Sequence, residues 1–227
     1  MTTAIRRRSF LLLTAAASLP GSAWALSGTE ARALVDLLVA NINAVIASGK
    51  SEAEMIKDFE GIFDRYADVP IMARYALGAD ARSASSAQMK AFTEAFRTYI
   101  SAKYGRRFRE FIGGRIDVQG ESAIPRGVQV ETMANLRGQA PFRVDFHVSD
   151  ASGKALFFNI IIEGIDMLLS ERTEIGAMLD QRRGDLDRLI AAEIRGDPFD
   201  HAIRQIARHE PLRHILEIGS SSGEGST

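Results

Sequence analysis

Few polar side chains in this sequence have the types and spacing that chemistry needs. His201, His209 and His214 are eight and five residues apart. On a helix they would point in different directions, unlike the i, i+4 pair that a zinc site uses, and a solvated surface accounts for them. The run Gly219-Ser220-Ser221-Ser222-Gly223 matches G-x-S-x-G in letters only. It lies in a low-complexity tail with neither a strand before it nor a helix after it, so a nucleophile there would have no scaffold. Glu163 and Asp166 form a carboxylate pair at the end of an apolar run. They are candidates for general acid–base work, with His147 as a third, or else caps for the helix that follows. Arg106, Arg107, Arg109 and Arg115 border an aromatic stripe, and read either as a solvated helix face or as a contact for an anionic group. No glycine-rich phosphate loop is present, and with no cysteine there is neither a disulfide nor thiol chemistry.

The elements that must position these residues begin after a leader. In "RRRSFLLLTAAASLPGSAWA", residues 6–25, Arg6, Arg7 and Arg8 form a basic head, Phe10 to Leu19 an apolar stretch, and Ala23-Trp24-Ala25 a small-x-small cleavage site. Residues 1–25 are therefore expected to be a cleaved export signal. Arg7-Arg8 followed by Ser9, Phe10 and Leu11 fits the twin-arginine route as well as the general one. Cleavage would remove the only tryptophan, Trp24. The whole chain carries 28 basic and 29 acidic side chains; losing three arginines leaves a mature net charge near −4. That balance lacks the basic stripe required for binding a nucleic-acid backbone. The roughly 200 remaining residues suit one core, with residues 26–218 as a single domain and 219–227 as a disordered tail.

Four stretches open with helix-start signals: Ser27 with Glu30, Ser51 with Glu54, Asp68 with Pro70, and Ser85 with Gln88. The last is the longest, carrying Phe92, Phe96, Tyr99, Tyr104, Phe108 and Phe111 before Gly113-Gly114. The period then changes from 3.6 to 2 across Ile116–Val118, Val128–Thr132 and Phe142–Val148, with turn signals between the runs. Four mainly antiparallel strands are expected, followed by helices near Thr173–Arg182, Asp185–Ile194 and from Asp197. Helices, then strands, then helices is the α+β order: a helical layer on a curved sheet. The segment "KALFFNIIIEGIDML", residues 154–168, breaks the alternation. Phe158, Ile160 and Ile162 are expected on one face of its strand, and Phe157, Asn159 and Ile161 on the other. Both faces ask to be kept dry, one by the core and the other by a following helix.

Three segments taken in order resemble the periplasmic phospholipid-carrier family, also called the toluene-tolerance or MlaC family. They are Val69, Pro70, Met72, Ala73, Arg74, Leu77 and Gly78; then Gln88, Phe92 and Phe96; then Glu163, Gly164 and Ile165 with Arg172. The resemblance covers roughly residues 30–195. Departures stand at Ala79-Asp80-Ala81, where aromatic residues are common in the family, at Asn159, where an aspartate is usual, and at Asp166, where a serine is usual. The helix after Ile194 is an addition.

The resemblance implies an NTF2-like or cystatin-like cup enclosing an apolar cavity for phospholipid acyl chains, with the headgroup in water and no catalysis, metal or cofactor. It also implies a soluble ferry between an outer-membrane lipoprotein complex and an inner-membrane ABC transporter with an MCE-domain ring. Residues expected to line such a cavity are Phe92, Phe96, Tyr99, Tyr104 and Phe108 from the long helix. From the sheet they are Val130, Phe142, Val144, Phe146, Phe158, Ile160 and Ile162. Arg106, Arg107 and Arg109 are the expected headgroup contacts. Plain core accounts for the same apolar side chains, because a core and a greasy pocket are built alike. The alternatives are a small-molecule enzyme or binding protein on an NTF2-like fold, using Asp166, Glu163 or His147, and an envelope-interaction protein with a filled core.

Overall fold

The computed structural model describes residues 26–105 and 113–194. Four helices come first: α1 (Gly28–Ile46), α2 (Glu52–Tyr66), α3 (Val69–Leu77) and, after a 3-10 turn, α4 (Ser86–Gly105). Each opens where its cap predicts. Ser27 and Ser51 form reciprocal capping boxes with Glu30 and Glu54. Ser85 does the same with Gln88, whose amide N–H reaches the Ser85 hydroxyl at 3.2 Å. Such boxes satisfy helix-end amides that would otherwise lack partners.

The sheet is an antiparallel meander in the order β1 (Arg115–Ile124), β2 (Gly127–Asn135), β3 (Phe142–Ser149), β4 (Leu156–Ile162) and β5 (Ile165–Asp166). It has five strands rather than the expected four; the extra one is two residues long and folds back on Ile161 and Ile162. Helix α5 (Met167–Gln181) starts well before the expected Thr173, because the Asp166 carboxylate accepts from the Leu169 amide at 2.8 Å and caps it. Helix α6 (Leu186–Ile194) follows Asp185, which caps it through the Arg188 amide. The expected continuation of the long helix through Phe108 and Phe111, the leader, the helix from Asp197 with His201, His209 and His214, and the tail all lie outside the described residues.

Both edges of the sheet are covered by the helical layer. On β1, the Asn43 side-chain amide from α1 donates to the Ile116 carbonyl and accepts from the Ile116 N–H, each at 3.0 Å, standing in for a neighbouring strand. On β4, the Asp68 N–H donates to the Phe157 carbonyl at 2.8 Å. Asp68, almost fully buried, also caps α3 through the Ile71 amide and accepts from the Ser152 hydroxyl at 2.5 Å. One carboxylate thus ties the α2–α3 junction to the turn between β3 and β4.

The register explains the strand that is dry on both sides, with one correction. Val144 faces Ile162 and Phe146 faces Ile160, but Val148 faces Phe157 and His147 faces Asn159, so β4 carries a bulge at Phe158. The bulge brings Phe157 onto the core face, where its ring meets Phe146 and Phe63 edge-on at 5.7 and 6.0 Å. Phe158 goes to the other face, 5.8 Å from the His147 ring. The start of α5 covers that second face at Asn159, and leaves Phe158 and Ile161 half-buried. Buried Asn159 donates to Asp166 at 2.9 Å and accepts from the Leu168 amide at 3.1 Å.

Candidate functional site

The expected lining residues divide by burial. Phe92, Phe96, Tyr99, Val130, Val144 and Phe146 are buried in one contiguous apolar cluster. Within it the Phe92 and Phe96 rings lie 6.0 Å apart, and Phe96 and Tyr99 6.4 Å. Tyr104, Phe142, Ile160 and Ile162 are only half-buried and pack against the cluster's margin. Phe158 is not with them, for the reason given above. Phe108, Arg106, Arg107 and Arg109 lie outside the described residues. Arg115 is described, and its guanidinium is 2.9 Å from Asp117 beside an open groove lined by Gly113, Gly114, Asn135, Leu136 and Arg137.

Burial falls from the Val148 end toward the Phe142 end on β3 and β4 alone; on β2 Thr132 and Ala134 are as buried as Val130, and on β1 burial runs the other way, from buried Ile116 to exposed Ala123. On β3 the relative exposure rises from 0% at Val148 through 3% at Phe146 to 6% at Val144, and Phe142 is half-buried. On β4 it rises from buried Phe157 to half-buried Ile160 and Ile162. The sealed end is the one that Asp68 and Ser152 close. Helix placement is graded in a related way. The sheet is met mainly by α1, with α3 and α5 reaching β4, whereas α4 packs mainly on α2, α3 and α6. The aromatic helix is therefore held by other helices rather than laid flat on the strands.

Between the last turns of α4 and the start of α5 sits a polar knot that the sequence reading did not anticipate. Tyr99, Lys103 and Tyr104, from the last turns of α4, converge on Glu171 and Glu174 of α5. The Tyr99 hydroxyl lies 3.0 Å from Glu171 and 2.8 Å from Glu174. The Lys103 ammonium lies 2.8 Å from Glu171 and 2.5 Å from Glu174. The Tyr104 hydroxyl donates to Glu171 at 2.5 Å. Both carboxylates are buried, with side-chain exposures of 4% and 9%. Burial, followed by the two neighbouring carboxylates, pushes the Tyr99 phenol far above its usual range, so it stays a hydrogen-bond donor. The signal was present: Glu171 and Glu174 interrupt the stripe of Leu168, Ile175 and Met178, all of them buried on α5. Charges on the apolar side of a helix need partners, and Lys103 at i+4 from Tyr99 supplies one.

The acid–base candidates are each occupied elsewhere. His147 is 3.1 Å from Gln129, and burial pulls its pKa down against the opposing pull of Asp166 and Asp145. Asp166 caps α5 and holds Asn159. Glu163, at a positive φ of 49°, accepts from the Arg143 amide. Among the described residues no two of these three share a hydrogen bond. No group of three or more His, Asp or Glu among them could hold a metal ion. No described helix is long and apolar enough to cross a membrane.

A solved structure of a phospholipid-binding protein from Ralstonia solanacearum, in complex with a phospholipid, is similar to this chain. The TM-score is 0.62 at 17% identity, over 78% of this chain and 99% of that one. At that identity the likeness is one of fold. The family model described as MlaC protein matches residues 33–192, most of the chain and every described element from α1 to α6. The sequence segments that suggested the family, the helical layer on an antiparallel sheet and the family model agree: the chain belongs to the MlaC family.

Proposed function

We propose that the protein is a phospholipid carrier of the periplasm, a binding and transport protein and not an enzyme. In this reading residues 1–25 are the export signal and 26–218 the carrier domain. The observation that carries it is the contiguous apolar cluster shared by α4 and the sheet, closed along β3 and β4 beside Asp68 and only half-buried at their other end, at Phe142, Ile160 and Ile162. Acyl chains would enter at that end and displace contacts along the inner face, with Phe92, Phe96, Tyr99, Val130, Val144 and Phe146 as the deeper wall. The family and the phospholipid held by the Ralstonia protein support the ligand class. An inner-membrane ABC transporter with an MCE-domain protein and an outer-membrane lipoprotein complex are the proposed partners, and lipid asymmetry of the outer membrane the process served.

The physics of the task is simple. A buried methylene is worth about 0.8 kcal/mol, so a sixteen-carbon chain in water costs on the order of 12 kcal/mol and cannot cross an aqueous gap unaided. A carrier replaces the bilayer for the crossing. Organic extraction of the mature protein followed by mass spectrometry should yield diacyl phospholipid, and Ile160→Asp, which sets a carboxylate against the chains, should purify with much less. An extract without diacyl lipid from the parent protein refutes the proposal.

A further inference from the structure

A carrier that shields its cargo must also release it, and the wall between α4 and α5 is built differently from the rest. Helix α4 packs on α2, α3 and α6, and α5 on α3 and β4, so the two helices meet chiefly through the long side chains of the polar knot. Three groups on α4 and two carboxylates on α5 make that contact. Opening an apolar seam exposes surface that water solvates poorly. Opening a polar one replaces each hydrogen bond with a bond to water, at a small net cost. Within the knot Tyr99 is buried, while Tyr104 is half-buried, with its hydroxyl on Glu171 and its ring packed against the apolar cluster.

We propose that the contact of Tyr99, Lys103 and Tyr104 with Glu171 and Glu174 is a latch on the lipid space, and that Tyr104 is its moving part. The inference rests on the carrier reading. Swinging Tyr104 outward breaks its hydrogen bond to Glu171 and uncovers the part of the apolar cluster on which its ring packs. Tyr99 and Lys103 keep the remaining carboxylate bonds, so α4 and α5 stay tethered while the tails slide past.

The test compares Tyr104→Phe with Tyr99→Phe. Each removes one hydroxyl from the knot and keeps the ring: Tyr104 loses its bond to Glu171, and Tyr99 its bonds to Glu171, Glu174 and Lys103. Mature protein is loaded with a fluorescent phospholipid, and the first-order rate constant of transfer is measured to acceptor vesicles of phosphatidylethanolamine and phosphatidylglycerol. That constant does not depend on how much lipid was loaded. Tyr104→Phe should raise it about tenfold, the factor for losing one bond to a charged group, and Tyr99→Phe should raise it less. An equal or lower rate for Tyr104→Phe, or an equal rise for both variants, overturns the latch while leaving the carrier reading intact. A parent protein that takes up no phospholipid overturns both.

Discussion

Replacing Lys103 by Met should cost more than any other single change on α4 outside its buried aromatics. The methionine keeps the apolar stem but removes the ammonium that stands 2.8 and 2.5 Å from two carboxylates with side-chain exposures of only 4% and 9%. Removing one partner of a buried ion pair costs about 3–5 kcal/mol, because the charge left behind is neither solvated nor paired. Lys103 itself keeps 20% of its side chain in water, which places the loss near the low end, at about 3 kcal/mol. For a domain of this size each kcal/mol moves the melting temperature by roughly 2–4 °C, so the expected fall is about 6–12 °C. Circular dichroism at a helix-sensitive wavelength measures it, with the mature protein at neutral pH. The reasoning has a second arm. Changing Glu171 and Glu174 to Gln in the same protein removes the stranded charges, and most of the loss should return, since neutral amides can still accept from Tyr99 and Tyr104. A Lys103→Met protein that melts within about 1 °C of the parent, or a triple variant less stable than the single one, would show that the ammonium does not compensate those carboxylates.

Three further changes probe other joints. Asp166→Ala removes the α5 cap and the acceptor of Asn159, and should cost about 1–2 kcal/mol in a urea titration. At Gly127 the backbone sits at φ 140° and an added Cβ would stand 2.0 Å from the Val148 carbonyl oxygen, so Gly127→Ala should prevent soluble expression or lower the melting temperature steeply. His147 has its pKa lowered by burial, so the unfolded chain takes up this proton more readily than the folded one. The stability this costs is absent well above the ordinary imidazole pKa of about 6.5 and grows as pH falls through it. His147→Gln should therefore melt closer to the parent at about pH 7.5 than at about pH 5.5, where the variant gains; equal pH profiles for the two proteins would contradict the assignment.

The sequence carried the starts of the first four helices almost to the residue, because Ser27, Ser51, Asp68 and Ser85 act locally on amides within one turn. It carried four of the five strands, β2 and β3 most plainly, because Val128–Thr132 and Phe142–Val148 alternate cleanly against a face that water reaches. What it could not carry depended on contacts far along the chain. Asp166 reads as a strand-end carboxylate until Asn159 is placed beside it. The two positions depart from the family pattern together, and together they form one donor–acceptor pair that anchors α5. The knot was missed for the same reason. Glu171 and Glu174 are buried only because Lys103, Tyr99 and Tyr104, about seventy residues earlier, come to meet them. Apolar residues could be assigned to the interior but not to cavity or core, since that difference lies in how far two layers stand apart.

The bulge at Phe158 bears directly on that last question. A strand of strict period 2 would set Phe158 on the inner face and Phe157 on the outer one; the extra residue reverses them. Phe157 then fills the sealed end, wedged between Phe146 and Phe63, and Ile160 and Ile162 continue the same face toward the half-buried end. Along its length one strand therefore passes from close-packed at its start to half-buried at its finish. In the proposed carrier the packed start would fix how deep a chain can go and the half-buried finish where it goes in. If Phe158→Asp reduces phospholipid loading as much as Ile160→Asp does, the two residues share a face after all, and the graded interior built on this register fails with it.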